Sequence, residues 1–139
     1  MSHFILDASV ALAWFLDNPV PNYAVHVRDV LLKGSRGMVP ALWHLEVANG
    51  LAVAERRQIL TANDVSQGLS DVEQLIVHSL DTDGKIVPVR RASKTAGTYQ
   101  LSAYDATYLT LASEENLPLA TLDQSLRRAA TRAGLQLLP

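Results

Sequence analysis

The chain has 139 residues, 48% of them hydrophobic and 19% charged, and it contains no Cys. That length and apolar content suit one domain with its own core and exclude a disordered chain. The missing Cys excludes disulfide scaffolds, thiolate zinc sites and cysteine nucleophiles. A formal charge of −2 excludes nucleic-acid binding by bulk positive charge.

Charge is unevenly spread: residues 1–83 hold 5 basic against 10 acidic side chains, and residues 84–139 hold 7 against 4. Such a division can place a metal beside an anionic substrate, or it can be an ordinary solvated surface. The apolar stretch 4–16 is interrupted by Asp7, has no Lys or Arg before it and is too short to span a bilayer. The expectation is a soluble, cytoplasmic protein with no membrane association.

Residues 3–6 read as a short buried strand ending at Asp7, followed by a helix over Ser9–Leu16 that Asn18-Pro19 and Pro21 stop. Ala24, Val27, Val30 and Leu31 recur at helical spacing within Asn22–Lys33, and Gly34 and Gly37 bracket the turn that follows. Met38-Val39-Pro40 is a brief strand before a helical run to about Arg57. Thr61 is a helix N-cap, with Asp64 as an imperfect capping-box partner. The helix it opens runs to about Leu80 and stripes Val65, Leu69, Val72, Leu75 and Ile76 along one face.

Asp81–Gly84 reads as a loop, and Ile86–Val89 is strand-like up to Pro88. Helices follow at about Arg91–Leu101 and Ala103–Glu115. Leu117–Thr121 is a buried strand, Gln124–Ala133 a helix and Leu135–Leu138 a last strand. Strands alternating with helices imply an α/β fold whose parallel sheet is covered on both faces. The two consecutive helices before Ile86 break strict alternation. With no linker or repeat in view, residues 1–139 form a single domain.

Ligands of open α/β sheets sit beyond the carboxyl ends of the strands. Asp7 and Asp123 both follow apolar runs, so both fall at that edge, although each also stands where an Asp would cap a helix. Glu46 lies in Ala-Leu-Trp-His-Leu-Glu-Val-Ala-Asn-Gly, apolar nearly all round; it is either an exposed acid or a buried one needing a cation or strong hydrogen bonds. Asn49 and Gly50 share its face. Asp105 fits a capping box with Ser102, a role compatible with facing the sheet edge. Clustered carboxylates repel unless a cation sits among them, and oxygen ligands of this kind suit Mg²⁺ or Mn²⁺.

Four ordered segments carry a family resemblance: Ile-Leu-Asp7-Ala-Ser9, Glu46 with Asn49, Tyr-Asp105-Ala-Thr-Tyr108 and Ala-Thr121-Leu-Asp123. Together they resemble the PIN-domain nucleases, and the short layout is similar to the VapC-type toxins of toxin–antitoxin pairs. The resemblance implies a three-layer α/β/α sandwich around a short parallel sheet, which accommodates the paired helices. It implies an endoribonuclease that hydrolyses RNA phosphodiesters with Mg²⁺ or Mn²⁺ held by Asp7, Glu46, Asp105 and Asp123. Ser9, Asn49 and Thr121 match the family's polar support positions. A homodimer and a small silencing antitoxin are the implied partners. One departure is Gln124-Ser125 after Asp123, where some members carry a further acid; one firmly held metal is expected, with a second recruited by substrate.

For RNA phosphates the candidates are Arg90, Arg91, Lys94 and Arg128, which can equally be solvated helix faces. Tyr104 and Tyr108 read as core residues before base-stacking ones, Trp14, Phe15 and Trp43 as core or interface packing, and the four His as structural or surface residues. A PIN-like binding module without turnover is the alternative. Phosphatase and phospho-receiver readings of Asp7 fail on the acid missing at Ser9 and the Lys missing after Thr121.

Overall fold

A computed structural model describes residues 2–139. Strand β1 (His3–Leu6) lies inside the sheet, and its Phe4, Ile5 and Leu6 are fully buried. It pairs in parallel with β2 (Arg36–Pro40) on one side and β4 (Leu119–Ala120) on the other, with Ile5 opposite both Met38 and Leu119. The outer strand β3 (Leu80–Asp83) pairs in parallel with β2, giving the order β3-β2-β1-β4. Parallel neighbours need long crossovers, and among the described residues a pair of helices supplies each of them, with one more helix after the last strand.

Helices α1 (Ala8–Leu16), α2 (Asn22–Leu32), α3 (Leu42–Arg56) and α4 (Ala62–Ser79) pack on one another in sequence around α1 and α3. Helices α5 (Val89–Tyr99), α6 (Ala103–Glu115) and α7 (Gln124–Arg132) form a second group, in which α6 lies against β1, β2 and β4. The architecture is the expected α/β/α sandwich, and α3 followed by α4 is the helix pair. Thr61 and Asp64 complete a reciprocal capping box at the start of α4.

Where α1 crosses α3, Gly50 lets the helices touch: a Cβ there would fall 2.4 Å from a Leu12 methyl. This contact fixes the α3 backbone against the helix that starts just after Asp7.

Three elements differ from the sequence reading. Residues 80–83, expected to be mostly loop, form β3; only Leu80 is buried, and an edge strand tolerates polar side chains because one side faces water. Arg36 fastens this strand, donating to Asp81 at 2.9 and 3.0 Å and to the Leu80 carbonyl. Ile86–Val89, expected as a strand, pairs with nothing among the described residues; Ile86 and Val89 are 91% and 87% exposed, and Pro88 caps α5. Leu135–Leu138 contributes a single bridge, Leu119 to Leu137, rather than a strand. That tail is held by the Tyr23 hydroxyl, which donates to the Leu138 carbonyl at 2.7 Å.

Candidate active site

Asp7 stands at the N-cap position of α1, yet its side chain makes no capping hydrogen bond. It is 4% exposed, and its Oδ2 accepts from the Ser9 hydroxyl at 2.6 Å and the Thr121 hydroxyl at 2.7 Å. The network continues outward. Ser9 Oγ accepts from the Leu122 N–H and Thr121 Oγ1 from the Asp123 N–H, each at 3.0 Å. Two hydroxyls thereby join the end of β1 to the chain just after β4.

The other acids come from three helices. Asp123 does cap: its Oδ1 accepts from the Leu126 N–H at 2.9 Å at the start of α7. Asp105 lies in the first turn of α6, where the Ser102 hydroxyl accepts from its N–H, but the reciprocal half of a capping box is absent. The Ser102 hydroxyl still lowers the proton affinity of its carboxylate, the weakest of the influences on it. Half-buried Glu46 on α3 accepts a 2.6 Å hydrogen bond at Oε1 from the hydroxyl of fully buried Tyr108 on α6.

The charges of these groups act on one another. Burial pushes the Asp7 carboxyl above its ordinary range, the Ser9 and Thr121 hydroxyls pull it back, and the charge of Asp123 adds to the push. Burial likewise raises Glu46, against the Tyr108 bond, with Asp7 and Asp105 adding repulsion. Asp105 is raised by burial and then by Asp7 and Asp123. Burial and the bond to Glu46 drive the Tyr108 phenol far up, so it keeps its proton. Among the described residues, no Lys, Arg or His lies within ion-pair distance of any of the four acids.

No three of these side chains converge tightly enough to make a ready metal cage among the described residues. Mutual repulsion opposes such convergence when only protein atoms are present. The donor set nevertheless fits a hard divalent cation: carboxylate oxygens steadied by hydroxyls, with no sulfur and no compensating charge.

The PIN-domain family model matches residues 4–132. The chain belongs to the PIN-domain family. Members of that family are typically nucleases. A search of the curated proteins finds no match. Among solved structures, PAE2754 from Pyrobaculum aerophilum superposes with a TM-score of 0.69 at 20% identity, covering 92% of this chain and 84% of that one. A domain of a functionally unknown protein from Methanocaldococcus jannaschii gives a TM-score of 0.59 at 15% identity, covering 99% and 90%. These two likenesses confirm the fold.

In this PIN domain the remaining sequence candidates separate from the acids. Asn49 shares the helix of Glu46 but is exposed, with no side-chain hydrogen bond to it among those present. Arg90, Arg91 and Lys94 all lie in the first two turns of α5. Arg91 pairs with Glu114, nine residues along α6 from Asp105, or about 14 Å of helix. Arg90 and Lys94 are exposed and unpaired among the described residues, and Arg128 is exposed and donates to Ser125 Oγ.

Two site neighbours were harder to see in the sequence. Tyr108, read as packing, is buried as expected but spends its hydroxyl on Glu46; the available signal was its three-residue spacing from Asp105. Arg127, on α7, donates to the Thr121 carbonyl at 2.8 Å and lies over the Tyr23 ring. Tyr104, expected in the core, is 67% exposed beside Asp105, because position 104 points away from the sheet that Tyr108 faces. Trp43 is fully buried as expected, while Trp14 and Phe15 are partly buried against the core.

Proposed function

We propose that this PIN domain is a metal-dependent endoribonuclease of the VapC toxin type. The observation that carries this reading is that burial, and then the charges of neighbouring acids, raise Asp7, Glu46 and Asp105 with no cation beside them among the described residues. Such an arrangement is costly for the fold unless positive charge arrives.

Asp7, Asp105 and Asp123, with Glu46, would hold Mg²⁺ or Mn²⁺, which supplies positive charge to activate water and stabilise the leaving oxygen of a phosphodiester. The protein's own part is orientation. Ser9 and Thr121 fix one oxygen of Asp7, and the α7 cap fixes Asp123. The Tyr108 hydroxyl fixes one oxygen of Glu46. Exposed Arg90, Lys94 and Arg128 are the candidates for more distant RNA phosphates, with Arg91 engaged by Glu114. The same reading carries a small antitoxin as partner, a homodimer and a cytoplasmic location. No helix among the described residues is long and apolar enough to cross a membrane.

The test is RNA cleavage by the purified protein with Mn²⁺, comparing wild type with Asp7→Asn. Cleavage by wild type alone, stopped by EDTA, supports the reading; cleavage by both or by neither overturns it. RNA binding without cleavage identifies an inactive module. Induced expression that arrests growth for wild type but not for Asp7→Asn supports the toxin role, and normal growth in both removes it.

A further inference from the structure

We infer that Tyr108 is a positioning residue that holds the Glu46 carboxylate in the orientation that receives a divalent cation; the inference rests on the nuclease reading for its choice of cation. Glu46 carries a long side chain on a half-exposed face of α3, and Asp7 and Asp105 repel it. Left to itself, such a side chain swings toward water, where it keeps its hydration and its rotamer freedom. The tight crossing at Gly50 fixes the α3 backbone, so the side-chain torsions are the freedom that remains. Tyr108 removes it.

Three features suit Tyr108 to that task. Its ring is fully buried, so the hydroxyl is a rigid donor with a fixed position. The hydroxyl donates to Glu46 Oε1 at 2.6 Å across 62 residues of sequence, and the Ala8 N–H at the start of α1 steadies it from the other side. Oε2 of Glu46 has no hydrogen-bond partner among the described residues and is left for the site. Since Asp105 lies three residues earlier on the same helix, α6 supplies one acid and aims another. A residue needed only for packing would be served as well by Phe.

The experiment titrates the metal-free protein with Mn²⁺ by calorimetry, using wild type, Tyr108→Phe, Glu46→Gln and the double variant, with thermal melting of each recorded without metal. Tyr108→Phe is expected to bind Mn²⁺ about 10-fold more weakly, at the low end of the effect of losing a ligand's hydrogen-bonded support. In the double variant the loss is no greater than for Glu46→Gln, because both changes remove one interaction. Glu46→Asp, too short to span from Tyr108 to the site, is expected to match Glu46→Gln, and this arm stands even if Tyr108→Phe fails to fold.

Tyr108→Phe binding Mn²⁺ within twofold of wild type overturns the inference, as does Glu46→Asp with wild-type affinity. Wild type that binds Mn²⁺ but cuts no RNA, with Tyr108→Phe still weakened, removes the nuclease reading and sustains the positioning role. Wild type that binds no Mn²⁺ overturns both.

Discussion

The two ends of α6 hold the same chemistry in opposite conditions. At the far end, Glu114 meets Arg91 and Lys85, while Glu115 and Asp83 also meet Lys85, so each carboxylate there has a cation beside it. At the near end, Asp105 feels the charges of Asp7 and Asp123, and no cation pairs with any of the three among the described residues. The first end is water-exposed and compensated, and its pairs contribute little; the second is sheltered and uncompensated, and it is costly without a ligand. An arrangement that disfavours folding and persists beside a compensated one is best explained by what it binds.

The largest effect expected from breaking this contrast comes from Asp123→Asn. Asn caps a helix about as well as Asp, so α7 should survive while the charge goes. RNA cleavage should fall to background, with a far-ultraviolet spectrum and melting profile close to wild type. A variant that still cleaves reduces Asp123 to a cap.

Acidity separates the two kinds of carboxylate next. Asp7, Glu46 and Asp105 are raised in the folded chain, so their contribution to stability is full below the ordinary carboxylate range and is lost as pH rises through the raised values. Asp81, held down by the Arg36 guanidinium, and Asp64, held down by the Thr61 backbone N–H, act the other way and lose theirs as pH falls. Mn²⁺ relieves only the first group. Melting temperatures should therefore rise more with Mn²⁺ at pH 7.5 than at pH 5, and an equal rise at both would dissolve the distinction.

A smaller effect tests the frame that carries Glu46. Gly50→Ala gains about 0.8–1.0 kcal/mol in helix propensity but forces Leu12 aside, and overpacking costs about 1–3 kcal/mol. The net expectation is a loss of about 1 kcal/mol in urea unfolding, accompanied by reduced cleavage because α3 shifts against α1. Unchanged stability would show that Leu12 gives way freely. Least of all should change with Glu114→Gln at the compensated end: about 0.2–1 kcal/mol of stability, as for exposed pairs, and cleavage like wild type. A large loss of cleavage there would extend the working site to the whole of α6.

The acids were legible because each follows a local pattern. Asp7 and Asp123 terminate apolar runs, and Glu46 interrupts an apolar helix. Their company was less so, since a tyrosine in an apolar helix reads as packing whether or not its hydroxyl has work to do. What decides that for Tyr108 is a partner 62 residues away. The sheet showed the same limit at its margin: β3 carries loop-like Asp-Thr-Asp because its pairing comes from β2 and its fastening from Arg36. Ile86–Val89 has strand-like residues but no neighbour to pair with. Local composition reports what a segment can do, and the partner decides whether it does.

The bonds from Thr121 to Asp7 and from Leu122 to Ser9 join positions 114 and 113 residues apart. Closing so long a loop comes late and slowly relative to the helices, which need only their neighbours. During synthesis, Asp7 has Ser9 beside it at once but waits for nearly the whole chain before its second hydroxyl partner, Thr121, exists. Under the endoribonuclease reading proposed above, the emerging polypeptide would lack an assembled centre until Thr121 and Asp123 had joined it.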